Sequence, residues 1–387
     1  MQGITPHFRA PSAHSVAPPA VLRELASKAG VSFNSNAPWD IQVYDPQTYQ
    51  RILSRGSFGF GEAYLDGMWD SERLDQLFHR LLSCDIDAGI RGLTRWQVFS
   101  NVLRHQFCNL QSLARAFQVG KRHYDIGNDV FQAMLDSGMN YSCGYWAGAS
   151  NLEQAQLNKL DLICRKLDLR KGEHLLDIGC GWGGMARYAA MEYGVEVTGI
   201  TISQEQLLLA QERCKELPVN IKLLDYRKLE GHYDKIISIG MFEHVGSKNY
   251  AIYFDTINRL LKDRGLFLLH TIGGCRTSAY VDPWVDHYIF PNGHLPSARE
   301  LTAVLEDRFL IEDWHNFGSD YDKTLMAWWE NFNAAWPQLK LRYDQRFYRM
   351  WKYYLLSCAG MFRARQGLLW QLVLNRRQGY SNYRSVR

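Results

Sequence analysis

No run of apolar residues in this chain is long enough to span a bilayer, so the sequence predicts no transmembrane helix. The first twenty residues lack the apolar stretch of a secretory signal and read as a flexible Pro/Ala/Ser tail. None of the eight cysteines forms a C-x-x-C pair, and no paired-histidine spacing accompanies them. That excludes the usual zinc-site patterns and fits a reducing, cytoplasmic setting. No Lys-Ser/Thr follows the glycine-rich segment described below, so a P-loop is excluded. The Asn/Asp-Pro-Pro-Tyr/Phe motif of enzymes that methylate nucleic-acid amines is also missing.

Acidic residues are absent from two long stretches. Residues 88–124 hold six Lys/Arg and no Asp or Glu, and residues 345–387 hold nine and again no acid. The remainder of the chain then carries 29 basic against 40 acidic residues, although the net charge is only +4. Segregated cations point to an anionic partner. Trp96, Phe99, Leu103, Phe107, Leu110, Leu113 and Phe117 recur at three- and four-residue steps, with Arg91, Arg95, Arg104 and Arg115 in the same segment. This predicts a basic amphipathic helix, suited equally to a membrane surface and to packing on a core. The expected organisation is a tail over 1–20, a small mainly helical unit over 21–93, this connector over 94–120 and a catalytic domain over 121–387.

What is present in abundance is glycine after an apolar strand. Residues 174–184 read HLLDIGCGWGG, with four glycines in the last six positions. The following MARYAAMEYG has helical spacing. Strand, glycine turn and helix form the nucleotide-binding geometry at the carboxyl end of a parallel strand. Gly184 falls one residue early for a dinucleotide fingerprint. The pattern D-x-G-C-G-x-G fits the first loop of class I S-adenosylmethionine methyltransferases. Strands over Leu175–Ile178, Val195–Thr201, Val219–Leu224, Lys235–Ile239 and Leu266–Thr271 alternate with helices, and Leu368–Leu374 reads as a last strand. The fold class is therefore α/β: a Rossmann-like, seven-stranded, mostly parallel sheet with helices on both faces. Ahead of it, the segment from Ser57 (SFGFGEAY) reads as a glycine-rich turn before a helix near Glu62. Ser203 with Gln206 reads as a capping box.

Candidate site residues follow from the strand ends. Asp177, Gly179 and Gly181 belong to the first loop. Thr201 ends the second strand in place of a ribose-binding acid, and Gln206 can serve instead. Asp225 and Tyr226 follow the third strand, placed for an adenine amine and ring. Glu243 follows the fourth and His270 ends the fifth. Polar and aromatic stretches at Tyr141–Trp146 and Asn316–Tyr321 complete the set.

These motifs together resemble the cyclopropane-fatty-acyl-phospholipid synthases: HYDIGND (His123–Asp129), YSCGYW (Tyr141–Trp146), LDIGCGWGG (Leu176–Gly184), GMFEHVG (Gly240–Gly246), LLHTIG (Leu268–Gly273), YIFPNG (Tyr288–Gly293) and DWHNFGSDYDKTL (Asp313–Leu325). The resemblance runs from about Leu22 to the last residue. It implies transfer of a methylene from S-adenosylmethionine to a cis alkene in a membrane phospholipid, through a carbocation deprotonated by bound bicarbonate. It also implies that Glu243, His270 and Tyr321 hold the bicarbonate, with Cys143 and Ile272 contacting it largely through backbone. Tyr141, Ser142, Gly179, Gly181, Thr201, Gln206 and Tyr226 match the S-adenosylmethionine site. Cys358 matches a cysteine sometimes given a catalytic role. A thiolate there would compete with the alkene for the methyl or trap the cation, so it reads as a buried structural thiol. The resemblance further implies a homodimer at an anionic membrane surface, with no nucleic-acid partner. Two alternatives stand beside it: a methyl-branching enzyme of the same fold, and a catalytically silent lipid-binding protein.

Overall fold

Seven strands form one sheet in the order β5-β4-β3-β6-β7-β9-β8 in this computed structural model. It describes residues 16–84, 127–278, 281–377, 379 and 382–387. The connector at 94–120 and the first four residues of HYDIGND lie outside these. The strands are β3 (His174–Ile178), β4 (Glu196–Thr201), β5 (Val219–Leu223), β6 (Tyr233–Ile239), β7 (Leu261–Gly274), β8 (Phe309–Asn316) and β9 (Gly367–Arg376). The first five run parallel, and β9 is antiparallel to both neighbours. The chain reverses its strand order at β3, so the carboxyl ends of β3 and β6 flank the crevice where such sheets bind ligands. β3 is buried along nearly its whole length, and covering on both faces explains its unbroken apolar run.

The helices, labelled over the described residues, are α1 (Ala20–Lys28), α2 (Gln47–Leu65), α3 (Leu74–Ser83), α4 (Asn128–Met134), α5 (Leu152–Lys166), α6 (Gly184–Tyr193), α7 (Gln204–Cys214), α8 (Tyr250–Leu260), α9 (Pro283–Tyr288), α10 (Ala298–Leu305), α11 (Ser319–Leu339) and α12 (Gln345–Arg363). Local chemistry sets several starts. Asn151 Oδ1 accepts from Gln154 N to open α5, and Asp344 accepts from Phe347 N to open α12. Ser297 and Glu300 form a reciprocal capping box on α10. A short antiparallel pair, β1 (Gln42–Val43) and β2 (Trp69–Asp70), ties α2 to the segment before α3.

Three local expectations are corrected. Ser57–Tyr64 is the second half of α2, and the break comes one residue earlier, at Gly56. Its glycines serve contact: a Cβ on Gly61 would lie 2.4 Å from the Trp284 ring of α9. The Ser203–Gln206 box is only half made. Ser203 Oγ accepts from Gln206 N, but the Gln206 carbonyl oxygen accepts from Thr201 Oγ1 at 2.7 Å. The strand β8 was not foreseen. It is an edge strand, and its inward Asp313 is paired with buried Lys166 of α5 at 3.1 Å, which breaks the hydropathy alternation.

The N-terminal helices share one core with α4, α9, α11 and α12. Trp69, Trp284, Trp328 and Trp351 are all fully buried in it. Each such side chain contributes roughly 2–3 kcal/mol by removal from water. Trp69 stacks on Phe60 with ring centroids 4.1 Å apart, and the Arg349 guanidinium of α12 lies 3.9 Å from the Tyr64 ring centroid.

Candidate active site

The carboxyl ends of β3 to β7 open onto one cavity of about 920 Å³. At its floor, Gly179 has φ +82, and a Cβ there would approach Met241 Cβ to 2.9 Å. Any side chain at 179 is thus both strained and crowded, which leaves bare backbone facing the ligand. Trp182 is anchored beside it by Asn128 Oδ1 at 3.0 Å and by the Phe131 ring. That bond joins the end of HYDIGND to the glycine loop. Asp177, on β3, is buried, with Oδ2 unpartnered, and burial raises its carboxyl to about 7 against the opposing influence of Lys159.

Thr201 and Gln206 meet as expected. Because Thr201 donates to the Gln206 carbonyl oxygen, the Gln206 amide NH₂ is the group left for the cavity. A donor there suits ribose hydroxyls. Tyr226 is buried against Tyr253 in the same wall. Asp225 also lines the cavity, but its carboxylate accepts from Arg227 N, Nε and Nη2. Its first duty is capping the turn that carries Tyr226. Tyr141 OH bonds Tyr354 OH at 2.7 Å, tying the YSCGYW segment to α12.

Glu243 sits in a 3₁₀ turn after β6 and accepts from Ile272 N at 2.6 Å through Oε1. Its Oε2 is buried, with no hydrogen-bond partner among the described residues. Burial raises the carboxyl to about 7, with the Ile272 amide pulling the other way. His270 lies directly opposite Gln371 in the β7–β9 register, and Gln371 Nε2 meets His270 Nδ1 at 3.2 Å. With that amide donating, the ring proton resides on Nε2, which is buried without a hydrogen-bond partner among the described residues. Burial, then the charges of Lys159 and Lys166, holds the imidazole well below its ordinary range, so it is neutral. Tyr321 stacks on Phe362 at 4.4 Å, and burial pushes its hydroxyl well above the usual tyrosine range. Glu243, His270, Ile272 and Tyr321 all line the cavity. Cys143 packs with Tyr321 in the cluster beside it, fully buried, and its thiol is raised by burial. Cys358 lies in the cavity wall on α12, and burial pushes its thiol up to about 12. It is a thiol, not a thiolate, at neutral pH.

The candidates thus converge, and several supports were not legible beforehand. Thr324 Oγ1 accepts from Gly144 N and Trp146 Nε1, stitching YSCGYW to α11. Gln371 orients His270; its one signal was a polar residue inside LLWQLVL. Lys159 reads as an ordinary helix lysine, yet it is buried in the cavity wall. The far end of the cavity is apolar. Leu22, Leu25, Ile52, Phe60, Phe78 and Leu81 line it, all from α1 to α3.

Five of the nine cations in the C-terminal stretch are engaged within the molecule. Arg346 pairs with Asp66 and Glu62, Arg349 with Asp70, Arg363 with Asp75 and Asp322, Arg376 with Asp263, and Arg387 with Asp313. These cations meet carboxylates of the same molecule. For these five, the missing local acids are supplied by segments distant in sequence.

Strand order, glycine loop and cavity define a class I S-adenosylmethionine-dependent methyltransferase. Solved structures agree: the mycolic acid cyclopropane synthase CmaA1 complexed with SAH and CTAB superposes with a TM-score of 0.63 at 31% identity, covering 67% of this chain and 98% of that one. The family model for mycolic acid cyclopropane synthetase matches residues 111–372, and the chain belongs to that family. It is 52% identical to the cyclopropane-fatty-acyl-phospholipid synthase of Escherichia coli over 92% of this chain and 93% of the relative. It is 30% identical to the tuberculostearic acid methyltransferase UfaA1 of Mycobacterium tuberculosis over 83% and 80%.

Proposed function

We propose that this enzyme converts cis-unsaturated acyl chains of membrane phospholipids into cyclopropane chains, taking the methylene from S-adenosylmethionine. The observation that carries this reading is the continuity of the cavity. One space joins the glycine loop, the Glu243–His270–Tyr321 group and an apolar wall built from α1 to α3. An acyl chain entering along that wall would bring its double bond to the place where a methyl held over Gly179 meets buried polar groups.

An alkene is a weak nucleophile, so alignment and exclusion of water must carry the rate. The aromatic lining does both, and the faces of Tyr321 and Tyr354 can stabilise the carbocation left in the acyl chain. When bound, bicarbonate supplies the base that removes a proton from the new methyl so that the ring closes. The donor set fits such an anion: His270 Nε2–H would donate one hydrogen bond to it, and protonated Glu243 Oε2 would donate a second. Both atoms are otherwise orphaned and buried, a state that costs roughly 1–3 kcal/mol each unless a ligand meets them. Cys358 has no part in this chemistry. We also propose that the enzyme works as a homodimer at the surface of the membrane.

Purified protein incubated with unsaturated phospholipid vesicles and methyl-labelled S-adenosylmethionine tests the reading. Cyclopropane ring protons by NMR and the matching acyl-chain mass are the expected result. Label in a branch methyl would replace it with the branching reaction, and no label in lipid would leave a lipid-binding protein.

A further inference from the structure

Lys159 is a buried cation with no ion-pair partner among the described residues. It is 1% exposed, it lines the cavity, and its hydrogen bond among the described residues goes to Ser142 Oγ at 2.9 Å. Asp136 and Asp177 act on it from a distance, but neither forms an ion pair with it. Asp136 is otherwise engaged, accepting from Gly138 N, Asn140 N and Asn140 Nδ2. Burial lowers the ammonium to about 8, which leaves it mostly charged at neutral pH. A desolvated charge of this kind is strongly unfavourable unless a partner arrives.

Its position says which partner. The loop at 136–142 lies against the glycine turn: a Cβ on Gly184 would collide with Gly138 O, and Ser142 Cβ is within 4.0 Å of where a Cβ on Gly240 would stand. Helix α5 holds this loop at several points: Glu153 accepts from Ser137, Gln156 Nε2 donates to Asn140 O and Ser142 O, and Lys159 donates to the Ser142 hydroxyl. In the sheet order, the nucleoside-side residues Thr201, Gln206 and Tyr226 follow β4 and β5, whereas Glu243 and His270 stand at β6 and β7. A sulfonium whose methyl faces β6 and β7 and whose adenosine lies over β4 and β5 sends its third substituent between them. There Gly179, Gly240, Ser142 and Lys159 meet. That substituent is the amino-acid tail, and its anionic group is a carboxylate.

We propose that Lys159 binds the carboxylate of the methionine portion of S-adenosylmethionine, together with the Ser142 hydroxyl it already holds. This rests on the assignment of that co-substrate to the glycine loop. The contact anchors the tail on the side away from the chemistry, so the sulfur cannot slide along the crevice.

The test compares two ligands on two proteins by calorimetry. S-adenosylhomocysteine carries the carboxylate, and 5′-methylthioadenosine lacks the amino-acid tail. In Lys159→Met, affinity for S-adenosylhomocysteine should fall roughly 10- to 100-fold, the range for one charge-assisted hydrogen bond in a buried site, and affinity for methylthioadenosine should hold. Equal losses for both ligands would mean a structural role only and overturn the proposal. An unchanged S-adenosylhomocysteine affinity with a raised bicarbonate requirement would overturn it in favour of the other anion. The unmodified enzyme supplies a check independent of folding of the variant: it should bind the carboxamide of S-adenosylhomocysteine more weakly than the acid by a similar factor, and equal binding would refute the contact. If the unmodified enzyme bound neither S-adenosylhomocysteine nor methylthioadenosine, the assignment of the loop itself would fall, and this inference with it.

Discussion

Glu243 differs from a surface glutamate in one respect that governs its chemistry: one carboxylate oxygen has the Ile272 amide, and the other is buried with no hydrogen-bond partner among the described residues. Burial lifts its pKa from 4.5 to about 7. Below that value the carboxyl is neutral and can donate to an anion. Above it, two negative charges would face each other in a site of low polarity. With bicarbonate concentration held fixed, the apparent affinity for bicarbonate should therefore weaken as pH rises through about 7. Glu243→Gln should lower turnover and flatten that dependence; a slope identical to the parent's would assign the titration elsewhere. His270 does not oppose this trend, being neutral throughout because its own pKa is held well below the ordinary value. At this scale the sequence named Glu243 and His270 from their strand ends. It could not name the unpaired atoms, since pairing depends on Gln371 and Ile272, which arrive from β9 and the end of β7.

Helix α12 is the element that joins the N-terminal helices to the sheet. Arg363 holds Asp75 of α3 at 2.7 Å and Asp322 of α11 at 2.8 Å. Arg349 reaches Asp70 Oδ2, Tyr64 O and Trp69 O. Gly360 allows the close approach, since a Cβ there would sit 2.7 Å from Phe78 Cβ. Asp75 is almost fully buried and keeps only Arg73 if Arg363 is removed. Arg363→Ala should then destabilise the protein by about 2–3 kcal/mol, seen as a lower denaturant midpoint. It should also reduce activity on lipid, because α3 carries Phe78 and Leu81 of the apolar wall. A midpoint within error of the parent's would show that the shared tryptophan core alone sets this junction. Helix α3 itself was readable from the spacing of Leu74, Leu77, Phe78 and Leu81. The partner of its buried acid was not, because 288 residues separate Asp75 from Arg363.

For the whole molecule, charge bookkeeping changes the expected membrane contact. Five of the nine cations of 345–387 are paired internally, which gives the acid-free segment 88–124, with six cations in the sequence, the larger share of an electrostatic contact. Replacing Arg91, Arg95, Arg104 and Arg115 together with Gln should weaken binding to anionic vesicles and flatten its dependence on salt, measured by sedimentation over a range of ionic strength. Binding indifferent to salt in the parent would remove the electrostatic contact altogether.

The sequence by itself determined the parallel strands of the sheet, the glycine loop and the polar residues at the strand ends. These rest on local signals: an apolar run long enough for a buried strand, glycines where backbone must turn, polar residues at strand ends. Tertiary structure alone decided which charges are paired and which are exposed to a ligand. Lys159 and Arg363 look alike as letters, each a basic residue on an amphipathic helix. Arg363 meets two carboxylates from other elements and Lys159 meets none among the described residues, and only the packing of those elements over one cavity separates them.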